Sequence, residues 1–124
     1  MGGLLLLDTS VLIEVGRGRP GAAAYLESLP PTPLISAITL TELFTGARNE
    51  SERRRLDTLS SHLEVLPVTA ELARTAGILR QAHGTAVADA IIAATAIATG
   101  ATLLTFNTRH FQMLGRVEEP YRRQ

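Results

Sequence analysis

The sequence contains no cysteine and no lysine, and these two absences exclude several classes of chemistry. Without cysteine there is no disulfide, no thiolate metal ligand and no thiol nucleophile. Without lysine there is no amine for a Schiff base, and the lysine that reaches the phosphates in P-loop nucleotide hydrolysis is missing. The groups left for chemistry are carboxylates, imidazoles and hydroxyls.

The chain also lacks a long uninterrupted apolar run. Residues 1–7 are apolar but have no positively charged flank, and Asp8 interrupts them, so we expect no export signal. The longest apolar stretch, residues 86–98, contains Asp89 and is shorter than the ~18 residues that a membrane span requires. We therefore expect a cytoplasmic protein that makes no membrane contact.

The material that is present suits one folded domain. The chain has 124 residues, of which 45% are hydrophobic and 19% are charged, and its formal net charge is zero. A chain of this length buries roughly two thirds of its unfolded surface, which is enough to offset the entropy lost on ordering. We expect residues 1–124 to form a single domain.

Strand-like and helix-like segments alternate along the chain. This alternation predicts an α/β fold with three layers, in which helices flank a central and mainly parallel sheet. In such a fold, ligands bind beyond the carboxyl ends of the strands, where Asp8, Ser36 and Asn107 are expected. The predicted strands are residues 3–7, 34–36, 63–68 and 102–105, and the predicted helices are residues 10–15, 22–29, 38–48, 51–61, 70–82 and 88–99.

Asp8 and Asp89 are unusual because they lie inside the most apolar segments, where an unpaired carboxylate is costly. Asp8 is either the N-cap of the following helix or a metal ligand at the end of a strand. Asp89 either complements a helix dipole in a first turn or points toward the core, since Ile92 shares its helix face. The sequence leaves both pairs of alternatives open.

Glu42 also has two interpretations. Thr39 and Glu42 have the spacing of a capping box, which would make Glu42 a partner of its own backbone. If Ser36 caps the helix instead, Glu42 lies in the second turn and projects toward neighbouring elements. By contrast, Glu14 is interpreted as a solvated surface residue.

Four segments in this order resemble PIN-domain proteins, specifically VapC-type ribonuclease toxins of bacterial toxin–antitoxin pairs. They are LLDTSVLI at residues 6–13, ITLTELFTGA at residues 38–47, VADAIIAATA at residues 87–96 and LLTFNTRHF at residues 103–111. The resemblance covers almost the whole chain. It implies a PIN-like fold and a metal-dependent endoribonuclease that hydrolyses RNA phosphodiester bonds.

The resemblance also assigns roles to individual residues. It implies that Mg²⁺ or Mn²⁺ is held by carboxylates, which are the ligands that these cations prefer. Asn107 occupies a position where many relatives have a fourth carboxylate, and His110 replaces a later acid, which bears on the number of metal ions. The implied metal ligands are Asp8, Glu42 and Asp89; the implied catalytic residues are these three and Asn107, supported by Ser10, Thr105 and His110.

The resemblance implies three partners. The first is an RNA with an accessible single-stranded site, for which a transfer RNA is the family-based expectation. The second is a VapB-like antitoxin whose extended tail fills the acidic groove. The third is a second copy of the chain, with the helix carrying Leu40, Leu43 and Phe44 and the N-terminal helix as the expected interface. Candidate RNA contacts are Arg17, Arg48, Arg53 and Arg109.

Two other functions compete with this one. The same fold can cut DNA or flap junctions, although such proteins usually have more acidic residues and a longer chain. A PIN-like module without activity that only binds RNA or protein is the second alternative, because Asn107 stands where a carboxylate is common.

Overall fold

The computed structural model describes residues 3–123, which form five short strands, six α-helices and one 3-10 helix. The strands are β1 (Leu5–Leu7), β2 (Leu34–Ser36), β3 (Glu64–Leu66), β4 (Thr102–Leu104) and β5 (Val117–Glu118). The helices are α1 (Thr9–Gly16), α2 (Ala22–Ser28), α3 (Ala37–Thr45), α4 (Glu50–Ser60), α5 (Ala70–His83) and α6 (Val87–Thr99). The 3-10 helix spans Thr108–Phe111.

The five strands form one parallel sheet in the order β3-β2-β1-β4-β5. Leu6 of the central strand β1 lies opposite Leu34 on one side and Leu103 on the other. The chain leaves β1 toward β2 and β3 and then returns to β4 on the opposite side of β1. This reversal opens a crevice at the carboxyl ends of β1 and β4, which is where ligands bind in open parallel sheets.

Successive strand residues point to opposite faces of the sheet, so each strand has apolar side chains to bury on both faces. Helices cover both of these faces. Leu6 and Leu103 pack with Ile92 of α6 and with Phe111. On the other face, Leu7 and Leu104 pack in a cluster that contains the α1 residues Val11 and Leu12. The predicted three-layer α/β architecture is confirmed.

The predicted ends of the six helices and of strands β1 to β4 lie within three residues of the observed ends. Gly84 and Gly100 follow α5 and α6 with φ of 70° and 71°, so glycine ends each helix in the left-handed conformation. The strand β5 was not predicted, because two residues give no periodicity. Within residues 3–123 no single helix is long and apolar enough to span a membrane, and α5 and α6 meet that criterion only as a pair bent by 117°.

Candidate active site

Asp8 lies in the crevice between β1 and β4 and is only 3% exposed. It occupies the N-cap position of α1, but its side chain makes no capping hydrogen bond. Its Oδ2 instead accepts hydrogen bonds from the hydroxyls of Thr105, at 2.6 Å, and Ser10, at 2.8 Å. The capping interpretation of Asp8 is therefore wrong.

The two hydroxyls that bind Asp8 also bind the loop that leaves β4. Oγ of Ser10 accepts from the backbone N–H of Phe106 at 3.2 Å, and Oγ1 of fully buried Thr105 accepts from the N–H of Asn107 at 2.9 Å. The end of β1, the start of α1 and the loop after β4 are thus fixed to one another. Asn107, whose side chain is exposed, is placed beside Asp8 through its backbone.

Glu42 is held by a neighbouring helix and not by its own backbone. Ser36 caps α3, since its hydroxyl accepts from the N–H of Ile38 at 3.2 Å. The hydroxyl of Thr9 donates to Oε1 of Glu42 at 2.6 Å and lies 3.0 Å from Oγ1 of Thr39, which is fully buried. The capping-box interpretation of Thr39 and Glu42 is therefore wrong, and Glu42 faces α1.

Asp89 lies in the first turn of α6 and is one quarter exposed. Its Oδ2 is 3.3 Å from Nδ1 of His110, so the 3-10 helix after β4 contributes to its surroundings. Burial raises the pKa of Asp89, and the negative charges of Asp8 and Glu42 raise it further, whereas His110 acts in the opposite direction. The three predicted carboxylates therefore share one electrostatic environment.

The donor set of this site suits a hard divalent cation. The donors are carboxylate and hydroxyl oxygens, and a cation would relieve the repulsion that raises the pKa of Asp89. Within residues 3–123, however, no three histidine or acidic side chains lie close enough together to hold one ion directly. The residues fit a cation that keeps several of its water ligands, as Mg²⁺ does.

The four candidate arginines have different surroundings. Arg109 lies on the 3-10 helix and lines a cavity together with Asp89. Arg48 and Arg53 are exposed and pair with glutamates of α4, Arg48 with Glu52 at 2.9 Å. Arg17 is exposed at the end of α1. Arg109 is therefore the candidate arginine that the structure places beside the acidic residues.

The sequence does not reveal the role of Thr9 in the site or the burial of Glu14. Thr9 was given no role, although its position between Asp8 and Ser10 in a run of polar residues at a strand end could have indicated one. The interpretation of Glu14 as solvated is wrong, because it is 8% exposed and lies 3.9 Å from Nη1 of Arg123. No local signal could have revealed that contact, since the partner is far away in the sequence.

Comparison with known proteins shows the family of the chain. The PIN domain family matches residues 5–116. Ribonuclease VapC19 of Mycobacterium tuberculosis is 38% identical, with 94% of this chain and 98% of the relative aligned, and Ribonuclease VapC1 of Rickettsia felis is 32% identical, with 92% of each aligned. A toxin–antitoxin complex from Klebsiella pneumoniae contains a chain of the same fold, with a TM-score of 0.84, 34% identity, and 94% of this chain and 98% of that chain covered.

VapBC2 from Rickettsia felis, solved on a promoter DNA fragment, is also similar, with a TM-score of 0.79, 27% identity, and 94% of this chain and 98% of that chain covered. The chain therefore belongs to the PIN domain family. Within that family it is related to the VapC ribonuclease toxins of toxin–antitoxin systems.

Proposed function

We propose that this protein is a VapC-like endoribonuclease that hydrolyses RNA phosphodiester bonds with Mg²⁺ or Mn²⁺. The observation that carries the proposal is the placement of Asp8, Glu42 and Asp89 around one sheet crevice, where burial and then the negative charges of Asp8 and Glu42 raise the pKa of Asp89. Like-charge clusters of this kind are costly unless a cation binds them. We propose further that residues 1–124 act as a single PIN domain.

Asp8 and Asp89 would hold the cation, directly or through water. Glu42 would complete the ligand shell of the cation or orient the attacking water. Within residues 3–123, the two hydrogen bonds to the Asp8 carboxylate both go to Oδ2, which leaves Oδ1 for this role. When bound, the cation would polarise the phosphate and stabilise the negative charge that develops on it.

The remaining site residues would position these groups. Thr105 and Ser10 hold Asp8 in place, and His110 faces Asp89 from the loop after β4. Asn107 contributes a neutral side chain at the crevice and would orient substrate or water. The side-chain amide of Asn107 can serve this role because it both donates and accepts hydrogen bonds.

The substrate would be an RNA with an accessible single-stranded site, with a transfer RNA as the first candidate. The relatives are named ribonucleases, and a single strand can enter an open groove that a stacked duplex cannot. Arg109 would contact the backbone next to the acidic residues. Arg17, Arg48 and Arg53 would contact phosphates farther away, and Arg48 and Arg53 would have to leave their glutamate partners to do so.

A cognate VapB-like antitoxin would occupy the acidic groove, and the active form would be a cytoplasmic homodimer. Similar structures are toxin–antitoxin complexes, which supports the antitoxin partner. Leu40 and Leu43 of α3 pack against the core and are half-buried, so a dimer would use their remaining exposed surface together with α1. Light scattering at micromolar concentration should give twice the chain mass, and a monomer would contradict the dimer.

The test of the nuclease compares Asp89→Asn with Asp57→Asn. Asp57 is exposed on α4, so its substitution changes the same charge away from the crevice. RNA cleavage with Mg²⁺ or Mn²⁺ should be retained by the wild type and Asp57→Asn, and lost in Asp89→Asn and in EDTA. Cleavage that is equal in all three proteins would come from a contaminant or another site and would contradict the assignment.

A binding module without catalytic activity is the second candidate, because Asn107 is neutral and no three acidic or histidine side chains among residues 3–123 can hold one ion directly. Asn107→Asp separates the two candidates. If the wild type is inactive on RNA and Asn107→Asp cleaves with Mg²⁺, the binding module is favoured. An active wild type favours the nuclease.

A further inference from the structure

A half-open cavity of about 410 Å³ adjoins the acidic crevice. Asp89 and His110 belong to its wall, so the cavity opens directly beside a carboxylate of the proposed active site. The volume falls within the range of about 300–1,000 Å³ that is usual for small-ligand sites. The other lining residues come from the α5–α6 corner and from the segment around the 3-10 helix: His83, Gly84, Thr85, Ala86, Arg109, Gln112 and Met113.

The cavity wall carries groups suited to a flat, partly polar ring. The imidazole of His83 and the guanidinium of Arg109 are planar groups on which a base can stack. Met113 adds a polarizable apolar contact. Gln112 carries both a hydrogen-bond donor and an acceptor. This mixture fits a nucleobase better than a purely anionic or a purely apolar ligand.

Thr85 supplies a second polar group. Within residues 3–123, its hydroxyl oxygen is buried and has no hydrogen-bond partner. Buried polar atoms usually have a partner, because leaving one unpaired costs free energy. A ligand that enters the cavity could provide this partner after a rotation of the Thr85 side chain.

The protein offers few alternatives for stacking a base near the site. It has no tryptophan, and Phe111 is fully buried in the core. Phe106 is 8% exposed and is covered by Tyr121 and by the guanidinium of Arg123. The side chains of His83, Arg109 and His110 line the cavity beside Asp89, are exposed and offer planar groups to a base.

We propose that this cavity binds the nucleobase next to the scissile phosphate and that Thr85 and Gln112 determine which base is accepted. The inference rests on the proposed ribonuclease function, since it identifies the substrate group that this site would select. A single hydrogen bond gained or lost at the base edge changes affinity by about three- to tenfold.

Binding of the four RNA homotrinucleotides rA₃, rC₃, rG₃ and rU₃ in EDTA tests the proposal without cleavage. The wild type should bind at least one of them about fivefold more tightly than the weakest. Thr85→Val, which keeps the side-chain shape, and Gln112→Ala should each reduce this difference to less than about twofold. Thr58→Val is the matched control, because the Thr58 hydroxyl lies on α4 and bonds the carbonyl of Arg54 at 3.1 Å.

The outcomes distinguish this proposal from the ribonuclease function. Equal binding of the four trinucleotides by the wild type, or a preference that survives in both cavity variants, overturns the base site. A preference that is lost in the cavity variants, in a protein that cleaves no RNA with Mg²⁺ or Mn²⁺, supports the base site and contradicts the nuclease. Cleavage of a randomised RNA without any base preference contradicts the base site alone.

Discussion

At the scale of single residues, the support of Asp8 determines the geometry of the crevice. A buried carboxylate is costly unless hydrogen bonds replace its lost hydration, and Thr105 and Ser10 supply two of them. The same two hydroxyls bind the backbone of the β4 loop. Their loss should therefore disturb both the carboxylate and the loop that carries Asn107.

Thr105→Val should lower the free energy of unfolding by about 1–3 kcal/mol, because it removes a hydroxyl that donates to a buried carboxylate. It should also reduce RNA cleavage. Urea unfolding and a cleavage assay would measure the two effects. Thr95→Val is the control, since Thr95 is equally buried but bonds the carbonyl of Ile91 in its own helix. Loss of cleavage in both variants would mean that reduced stability alone is responsible.

The raised pKa of Asp89 predicts how stability depends on pH in EDTA. Because the folded pKa lies above the ordinary value of 3.8, ionisation of Asp89 disfavours the folded state. The favourable contribution of protonated Asp89 to the free energy of unfolding is fully present below the pKa that Asp89 has in the unfolded chain. It is lost as the pH rises through the pKa that Asp89 has in the folded protein. Relative to the wild type, Asp89→Asn should therefore gain stability as the pH rises through the acid range.

Urea unfolding of both proteins at a series of pH values would measure this difference. At neutral pH, Mg²⁺ should stabilise the wild type and not Asp89→Asn, since a ligand that binds only the folded state stabilises it. A difference between the two proteins that stays constant with pH would contradict the raised pKa.

At the residue scale, a charge in an apolar segment was the informative signal in the sequence, and the binding and catalytic roles of these residues stay predictions. That signal identified Asp8 and Asp89 as residues with special surroundings. It could not decide between capping and binding, because the partners that decide it are distant in sequence: Thr105 for Asp8, and Thr9 for Glu42. Local spacing favoured a capping box for Glu42, and a contact between helices replaced it.

At the scale of elements, the corner between α5 and α6 places Asp89 beside the cavity. Gly84 ends α5 with φ of 70°, and α6 begins at Val87 after a sharp change of direction. The sequence predicted this corner because His83-Gly84 is a typical helix end. It did not predict β5, whose pairing with β4 depends on a neighbouring strand and not on its own composition.

A matched pair of glycine substitutions in this region should have opposite effects. Gly77 lies inside α5 and Gly84 at its end, and a Cβ at either position would meet no heavy atom within 4 Å. Gly77→Ala should raise the free energy of unfolding by about 0.4–1 kcal/mol through helix propensity. Gly84→Ala should lower it by about 1–2 kcal/mol, because alanine is strained at positive φ.

Thermal or urea unfolding would measure both variants. If both alanines stabilise the protein, the left-handed conformation of Gly84 is not maintained in solution. Gly84→Ala should also alter trinucleotide binding, since Gly84 lines the cavity. Gly77→Ala should leave that binding unchanged.

At the scale of the whole molecule, the C-terminal segment connects distant parts of the chain. Tyr121 packs against Tyr25 of α2, with ring centroids 5.2 Å apart, and forms a T-shaped pair with Phe106, with ring centroids 5.0 Å apart. Arg123 lies 4.3 Å from the centre of the Phe106 ring and 3.9 Å from buried Glu14. These contacts join α1, α2 and the loop after β4, and no local pattern in the sequence could predict them.

This packing predicts that two substitutions of Tyr121 will differ. Tyr121→Ala should lower the free energy of unfolding by about 1–3 kcal/mol, because it removes a ring that packs on two others. It should also reduce RNA cleavage severalfold, since Phe106 directly precedes Asn107 and its N–H bonds Ser10. Tyr121→Phe should leave cleavage unchanged and stability equal or slightly higher, because within residues 3–123 the Tyr121 hydroxyl is buried without a partner.

Chemical unfolding and RNA cleavage of the three proteins would measure these effects together. If Tyr121→Phe loses as much stability as Tyr121→Ala, the hydroxyl has a partner in solution and the ring is not the main contact. If Tyr121→Ala loses stability but retains full cleavage below its unfolding temperature, the C-terminal segment stabilises the fold without positioning the loop. If Tyr121→Ala loses cleavage while it remains folded, the C-terminal segment positions the loop. Tyr121 then acts on Asp8 through its contact with Phe106, whose N–H bonds Ser10, and through the hydrogen bond from Ser10 to Asp8.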